Sequence, residues 1–307
     1  MSAKGDSMRA ILFALGANFA IACAKGVAAF FTGSSAMLAE TVHSLADCGN
    51  QGLLLLGMRQ SRRPPTPDYP LGFGKAIYFW SFLVAMMLCS VGGMYSVYEG
   101  WHKLSSHEAI DIPKLWWAVA VLVFAIIAEG MSMRACLQEI DKARGGRSLW
   151  RWFRTSRQAE LVVIFGEDLA ALAGLAVALL AVLLTMATGN VMWDALGTLA
   201  IGALLMIVAV FVARQVKAML IGKSMEPDRE LELRAFLQSR PEVDEVISLI
   251  TLQLGNDVMV SVQAQMAENQ SAHALIEQIN VVERAMKEVF PDVKWSFFEP
   301  DLGKVVD

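Results

Sequence analysis

At 307 residues, with 26 Lys and Arg against 30 Asp and Glu, the chain carries a formal charge of −4, which gives no basic footprint for nucleic acid. Hydrophobic residues make up 55% and charged residues 18% at a mean hydropathy of +0.47, too apolar for a soluble protein of this size. The composition reads as an integral, multi-pass membrane protein.

Six stretches are long enough to cross about 30 Å of hydrocarbon at roughly 20 residues each. They lie near 8–31, 35–58, 76–100, 115–135, 159–187 and 192–214. The first, from Met8 to Phe31, is too long for the apolar region of a signal peptide, and no cleavage site is expected. The links after the first and fifth spans, TGSSA and MATGNV, carry no cation. The link after the second carries Arg59, Arg62, Arg63 and Lys75, and that after the fourth carries Lys142, Arg144, Arg147, Arg151, Arg154 and Arg157. Cations accumulate on the cytoplasmic side, so six spans place both termini inside. In the third-to-fourth link Lys103 and Lys114 are offset by Glu108 and Asp111, and His102 and His107 are expected to be exposed there. The basic run Lys142–Arg157, interleaved with Trp150, Trp152 and Phe153, suits interfacial anchoring to anionic headgroups. Cys23, Cys48, Cys89 and Cys136 form no CxxC pair and read as apolar packing residues.

Ionisable side chains inside spans are costly and by default functional. In the second span LAETVHSLADCGNQ sets Glu40, His43 and Asp47 on one helix face, with Asn50 continuing the row. His43 and Asp47 lie roughly 12–18 Å from the outer face. The fifth span runs the other way, and Glu167 and Asp168 lie roughly 12–14 Å from its cytoplasmic start. Imidazole and carboxylates thus meet at one level from two opposed helices. Neutral imidazole with carboxylate oxygen suits a borderline divalent ion such as Zn²⁺, whereas a purely carboxylate site favours harder ions. Without metal, paired buried carboxylates repel each other and take up protons, so the site is expected to exchange metal for protons. His43 is of a residue type that titrates near physiological pH. Of the ionisable groups near span ends, Lys25 reads as snorkelling to the outer interface, Glu160 as a solvated or access-route group, and Asp194 as a helix-start carboxylate.

From about Met225 the chain becomes charged and alternating. Asp228–Arg240 reads as an amphipathic helix, Val243–Met266 as two strands joined at Gly255-Asn256-Asp257, Ser271–Phe290 as a helix and VKWSFFEP as a last strand. The expected fold is a membrane all-α six-helix transmembrane bundle, residues 1–222, followed by a small cytoplasmic α+β domain of ferredoxin-like αββαβ order, residues 223–307.

TGSSAMLAETVHSLADCGNQ, then YPLGFGKAIYFW at the third span, a carboxylate in the fifth and this C-terminal pattern together resemble the cation diffusion facilitator family of metal/proton antiporters. The Glu-Asp pair of the fifth span resembles its zinc transporter-9-like branch. The resemblance covers nearly the whole chain and implies His43 and Asp47 from the second span and Asp168 from the fifth as metal ligands. The family's fourth position falls on Ile164, which cannot bind metal. Glu167, about 100° round the helix from Asp168, completes the shell only from a rotated or distorted helix. Glu40, Asn50 or water are the alternatives. Tyr69 and Phe73 stand where many relatives carry His in the second-to-third link, and the last strand lacks the His often found before Glu-Pro. With His273 alone, the C-terminal domain is expected to bind metal weakly or not at all, and by resemblance it holds two subunits together as a homodimer. The resemblance implies export of divalent cations in exchange for protons by alternating access, and the permissive imidazole–carboxylate shell puts Zn²⁺ first with Co²⁺, Fe²⁺, Ni²⁺ or Mn²⁺ as further cargo. No prosthetic group and no enzyme activity is expected, since an intramembrane metallohydrolase needs three ligands, a base and a signature such as HExxH. A membrane metal sensor with the C-terminal domain as output is the competing reading. A bacterial inner membrane or an organellar membrane suits either.

Overall fold

Long runs of Leu, Val, Ala and Ile free of internal proline fold as helices whose backbone groups satisfy one another, as an apolar solvent demands. The computed structural model describes residues 15–16, 18–27, 30, 35–105, 112–268 and 271–302, without the side chains of 35–40, 43 and 112–114. Residues 18–27 are helical (α1), and α2 runs Ser35–Ser61. The third apolar stretch is α3 (Ala76–Met87), a π-helical segment Leu88–Met94 and α4 (Tyr95–Ser105). Then follow α5 (Ile112–Arg144), short α6 (Leu149–Thr155), α7 (Ala159–Thr188) and α8 (Met192–Gly222). Among the described residues four helices are long and apolar enough to cross a membrane: Ala76–Ser105, Leu115–Arg144, Ala159–Thr188 and the one beginning at Met192. The polar face of α2 dilutes its hydropathy, and the first expected span falls largely outside the described residues.

Helices in lipid gain from close backbone approach, and small residues provide it here. A β-carbon on Gly93, in the π-helical segment, would meet Met206 Cγ at 2.5 Å, and one on Gly202 would meet the Gly93 carbonyl at 2.8 Å. The third stretch therefore lies directly against α8. Gly166 and Gly197 do the same for α7 against α8, facing Val212 and Ala181.

The C-terminal part folds as α9 (Pro227–Gln238), β1 (Val243–Leu254), β2 (Asp257–Met266), α10 (Ala272–Val289) and β3 (Val293–Pro300). The sheet order is β1-β2-β3, with β1 and β2 antiparallel and β2 and β3 parallel. Alternation in β2 buries Val258, Val260, Val262 and Ala264 against Leu233 and Leu237 of α9 and Val282 and Met286 of α10. On the other face Ile250, Ser261 and Phe297 form one cross-strand row, with Ile250 62% and Phe297 55% exposed.

The sheet is seated on the bundle. Gly255, at φ +69°, turns the β1–β2 hairpin. Its N–H donates to the buried Tyr78 hydroxyl of α3 at 3.0 Å, and that hydroxyl reaches the Gly255 carbonyl at 3.4 Å. Gly74 packs on the same turn so closely that any side chain there would collide with the Leu254 carbonyl. The YPLGFGK stretch is thus a landing platform for the hairpin. The basic stretch around α6 serves the same junction. Arg147 pairs with Glu226 at 2.8 Å and Arg151 with Asp228 at 3.1 Å. The Arg157 guanidinium donates to the carbonyls of Thr155 and Ser224, both at 2.6 Å, and of Met225 at 3.2 Å. Burial lowers its affinity for the proton, with Glu226 opposing that shift. The headgroup expectation is corrected accordingly for the aromatic residues: Trp150 is exposed, but Trp152 and Phe153 pack with Cys136, Ile140 and Val162.

Candidate metal centre

Helix α2 presents Asp47 and Asn50 one turn apart. Asn50 is 1% exposed, and its Oδ1 accepts no hydrogen bond. Helix α7 supplies Glu167 and Asp168. Asp168 is 8% exposed, and the one hydroxyl of Ser132 of α5 is shared between its two carboxylate oxygens at 3.3 and 3.4 Å. Glu167 lies within hydrogen-bonding reach of the Asn50 side chain, while its buried Oε1 has no donor. Asp47 stands within electrostatic reach of both Glu167 and Asp168. Two helices of opposite direction therefore bring side-chain oxygens together, some without donors. Such oxygens suit a cation, since an unsatisfied buried acceptor otherwise costs about 1–3 kcal/mol.

The sequence reading placed Asp47, Asn50, Glu167 and Asp168, and all four gather here. The side chains of Glu40 and His43 lie outside the described residues. Among the described residues no three His, Cys, Asp or Glu side chains are grouped tightly enough to hold a metal. Ile164 packs with apolar neighbours in two core clusters, as a residue with no donor must.

Two residues of α5 escaped the sequence reading. Glu129 acts electrostatically on Glu167 and Asp168, and Ser132, one turn on, holds Asp168. The signal was available: a lone carboxylate in an apolar span is itself a functional flag. Lys25 requires a correction. It does not snorkel; it is 4% exposed and donates to the Ser44 hydroxyl of α2 at 2.8 Å. A hydroxyl on the neighbouring helix, not the interface, receives its ammonium group.

Lys25, Asp47 and Glu129 line one cavity of about 80 Å³, which also touches Ala170, Ala171 and Gly174 of α7. The same cavity extends to Lys103 and Asp194, which form an ion pair at 2.9 Å. Asp194 thus occupies the first turn of α8, as expected, but is also partnered across to α4. His102 is exposed as expected and stacks on Tyr98, while His107 lies outside the described residues. Of the cysteines, Cys136 is a buried packing residue, whereas Cys23 is exposed.

Residues 11–221 match the cation efflux transmembrane domain. The chain is 35% identical over 233 residues to the mitochondrial proton-coupled zinc antiporter SLC30A9 of Xenopus laevis, covering 75% of this chain and 41% of that protein. It is 33% identical over 233 residues to the human protein of that name, with the same coverage. Metal tolerance protein C4 of Arabidopsis thaliana is 30% identical over 242 residues, 78% of this chain and 52% of that protein. The chain therefore spans about half the length, or less, of these relatives. With a family match extending over most of its length, the chain belongs to the cation efflux family, close to its SLC30A9 branch.

Proposed function

We propose that the chain carries divalent metal cations, zinc first, out of the cytoplasm in exchange for protons by alternating access. The observation that carries this reading is the convergence of buried side-chain oxygens from α2 and α7, with Asn50 Oδ1 and Glu167 Oε1 lacking donors. His43, Asp47 and Asp168 ligate the cargo. Glu167 completes the shell or carries the proton, with Glu40 and Asn50 as alternative donors. A mixed imidazole and carboxylate shell accepts Zn²⁺ and tolerates Co²⁺, Fe²⁺, Ni²⁺ or Mn²⁺. When metal leaves, the carboxylates are left facing one another, and protons relieve their repulsion. That exchange couples the two fluxes. The names of the zinc antiporter and metal tolerance relatives support the same cargo class.

The remaining architecture follows this reading. Six spans occupy residues 1–222, both termini are cytoplasmic, and residues 223–307 form a ferredoxin-like dimerisation domain. The exposed row of Ile250 and Phe297 supports a second copy of the chain as its partner. A metal sensor is favoured by one observation, the direct seating of Gly255 on Tyr78, which links the sheet to a span. That alternative requires metal binding without flux. Zinc flux into proteoliposomes under an imposed pH gradient separates the two. The transporter reading expects gradient-driven flux in the parent and none in Asp47→Ala; binding without flux in the parent supports the sensor.

A further inference from the structure

We infer that Lys25 is a tethered cation that balances the carboxylates of the empty site and competes with the metal for them. The inference rests on the metal-transport reading and deepens it. A buried ammonium group is costly unless it is hydrogen-bonded and paired with opposite charge. The Lys25 ammonium has the Ser44 hydroxyl at 2.8 Å, and Ser44 precedes Asp47 by three residues on α2, placing both on one helix face. Lys25 lines the same cavity as Asp47 and Glu129. Asp47 and Glu129 act electrostatically on Glu167, which with Asp168 comes from a third helix, and Lys25 meets the first two of these carboxylates in the cavity from a fourth. Its flexible four-carbon stem lets the ammonium withdraw when a divalent ion arrives and return when it leaves. Lys25 thereby weakens metal binding and speeds release, which a carrier needs and a storage site does not.

Zinc titration calorimetry on the detergent-solubilised full chain at fixed pH tests this with Lys25→Met, Lys25→Arg and Asp47→Ala. Lys25→Met, which keeps the length and removes the charge, is expected to bind Zn²⁺ at least about ten-fold more tightly. Its maximal flux in vesicles should fall because release slows. Lys25→Arg should bind no more tightly than the parent. Unchanged or weaker binding by a folded Lys25→Met protein overturns the inference and leaves Lys25 a structural link between α1 and α2. Should Lys25→Met fail to fold, Lys25→Gln gives the same reading while keeping a donor for Ser44. Tighter binding by Lys25→Arg also overturns it, since the charge is then not what matters. If the parent and Asp47→Ala bind zinc alike, the transport reading itself fails and takes this inference with it.

Discussion

The bundle interior and the C-terminal core bury side chains by opposite rules. In the sheet domain Val258, Val260, Val262, Leu233, Leu237, Val282 and Met286 are all nearly inaccessible and pack on one another, and the buried polar side chains of β1, Thr251 and Gln253, are hydrogen-bonded. Around α2 and α7 the bundle instead buries Asn50, Asp168, Lys25 and Ser44. Among the described residues, the bundle helices leave Asn50 Oδ1, Gln51 Oε1 and Glu167 Oε1 without a hydrogen bond, and also the Ser81 hydroxyl and the Trp152 indole N–H, whereas the sheet domain contributes only the Ser296 hydroxyl. Under the proposed transport reading, the unpaired acceptors Asn50 Oδ1 and Glu167 Oε1 are the ones the cargo would satisfy.

The strongest way to break this comparison is to remove the oxygens. An Asp47→Ala, Asp168→Ala double variant should lose zinc flux to the level of protein-free vesicles while keeping its unfolding transition, because neither side chain belongs to an apolar cluster. Normal saturating flux would sink the metal centre. The opposite behaviour is expected of Leu237→Ala in the sheet domain, which should cost about 2–5 kcal/mol of stability. Thermal unfolding of the full chain in detergent reads that loss, and zinc affinity should not change.

Smaller changes sharpen the contrast. Glu167→Gln keeps an oxygen donor but cannot titrate, so it should still bind zinc by calorimetry while its flux loses much of its pH dependence. A flux profile that follows pH as the parent's does would assign the proton to His43 or Asp168. At the junction of the two regions, Tyr78→Phe removes the hydroxyl that meets both backbone groups of Gly255. It should cost about 1–2 kcal/mol in unfolding and expose the 223–227 linker to protease. Ser132→Ala should have the smallest effect, because its contacts to Asp168 are long. About 0.5 kcal/mol, seen as a roughly two-fold rise in KM for zinc flux, is expected.

How much of this was legible in the sequence differs between the same two regions. The sheet domain follows from period: alternation in VMVSVQAQ fixes which face of β2 is buried, and Gly255 marks the hairpin. The opposed pairing of Asp47 with Glu167 and Asp168 was equally readable, because span direction and helical rise set depth. What was missed lies across helices. Glu129 and Ser132 act on Asp168 from α5, and no local spacing in α5 announces which neighbour it faces. Nearness of Lys25 to a span end suggests snorkelling, whereas its ammonium group donates to Ser44 on α2. The Gly74 platform and the Arg157 link to Ser224 and Met225 join segments far apart in the chain, so only the folded arrangement shows them. The π-helical Leu88–Met94 includes Gly93, whose close approach to α8 is likewise a tertiary feature.

The central claim is that these buried oxygens exchange metal for protons. The direct measurement is zinc-driven proton movement in vesicles that start with no pH gradient and carry an internal pH dye. Adding zinc outside should drive it inward and alkalinise the lumen in the parent, with neither event in Asp47→Ala. Zinc entry that leaves the luminal pH unchanged, or that persists in Asp47→Ala, would contradict the account.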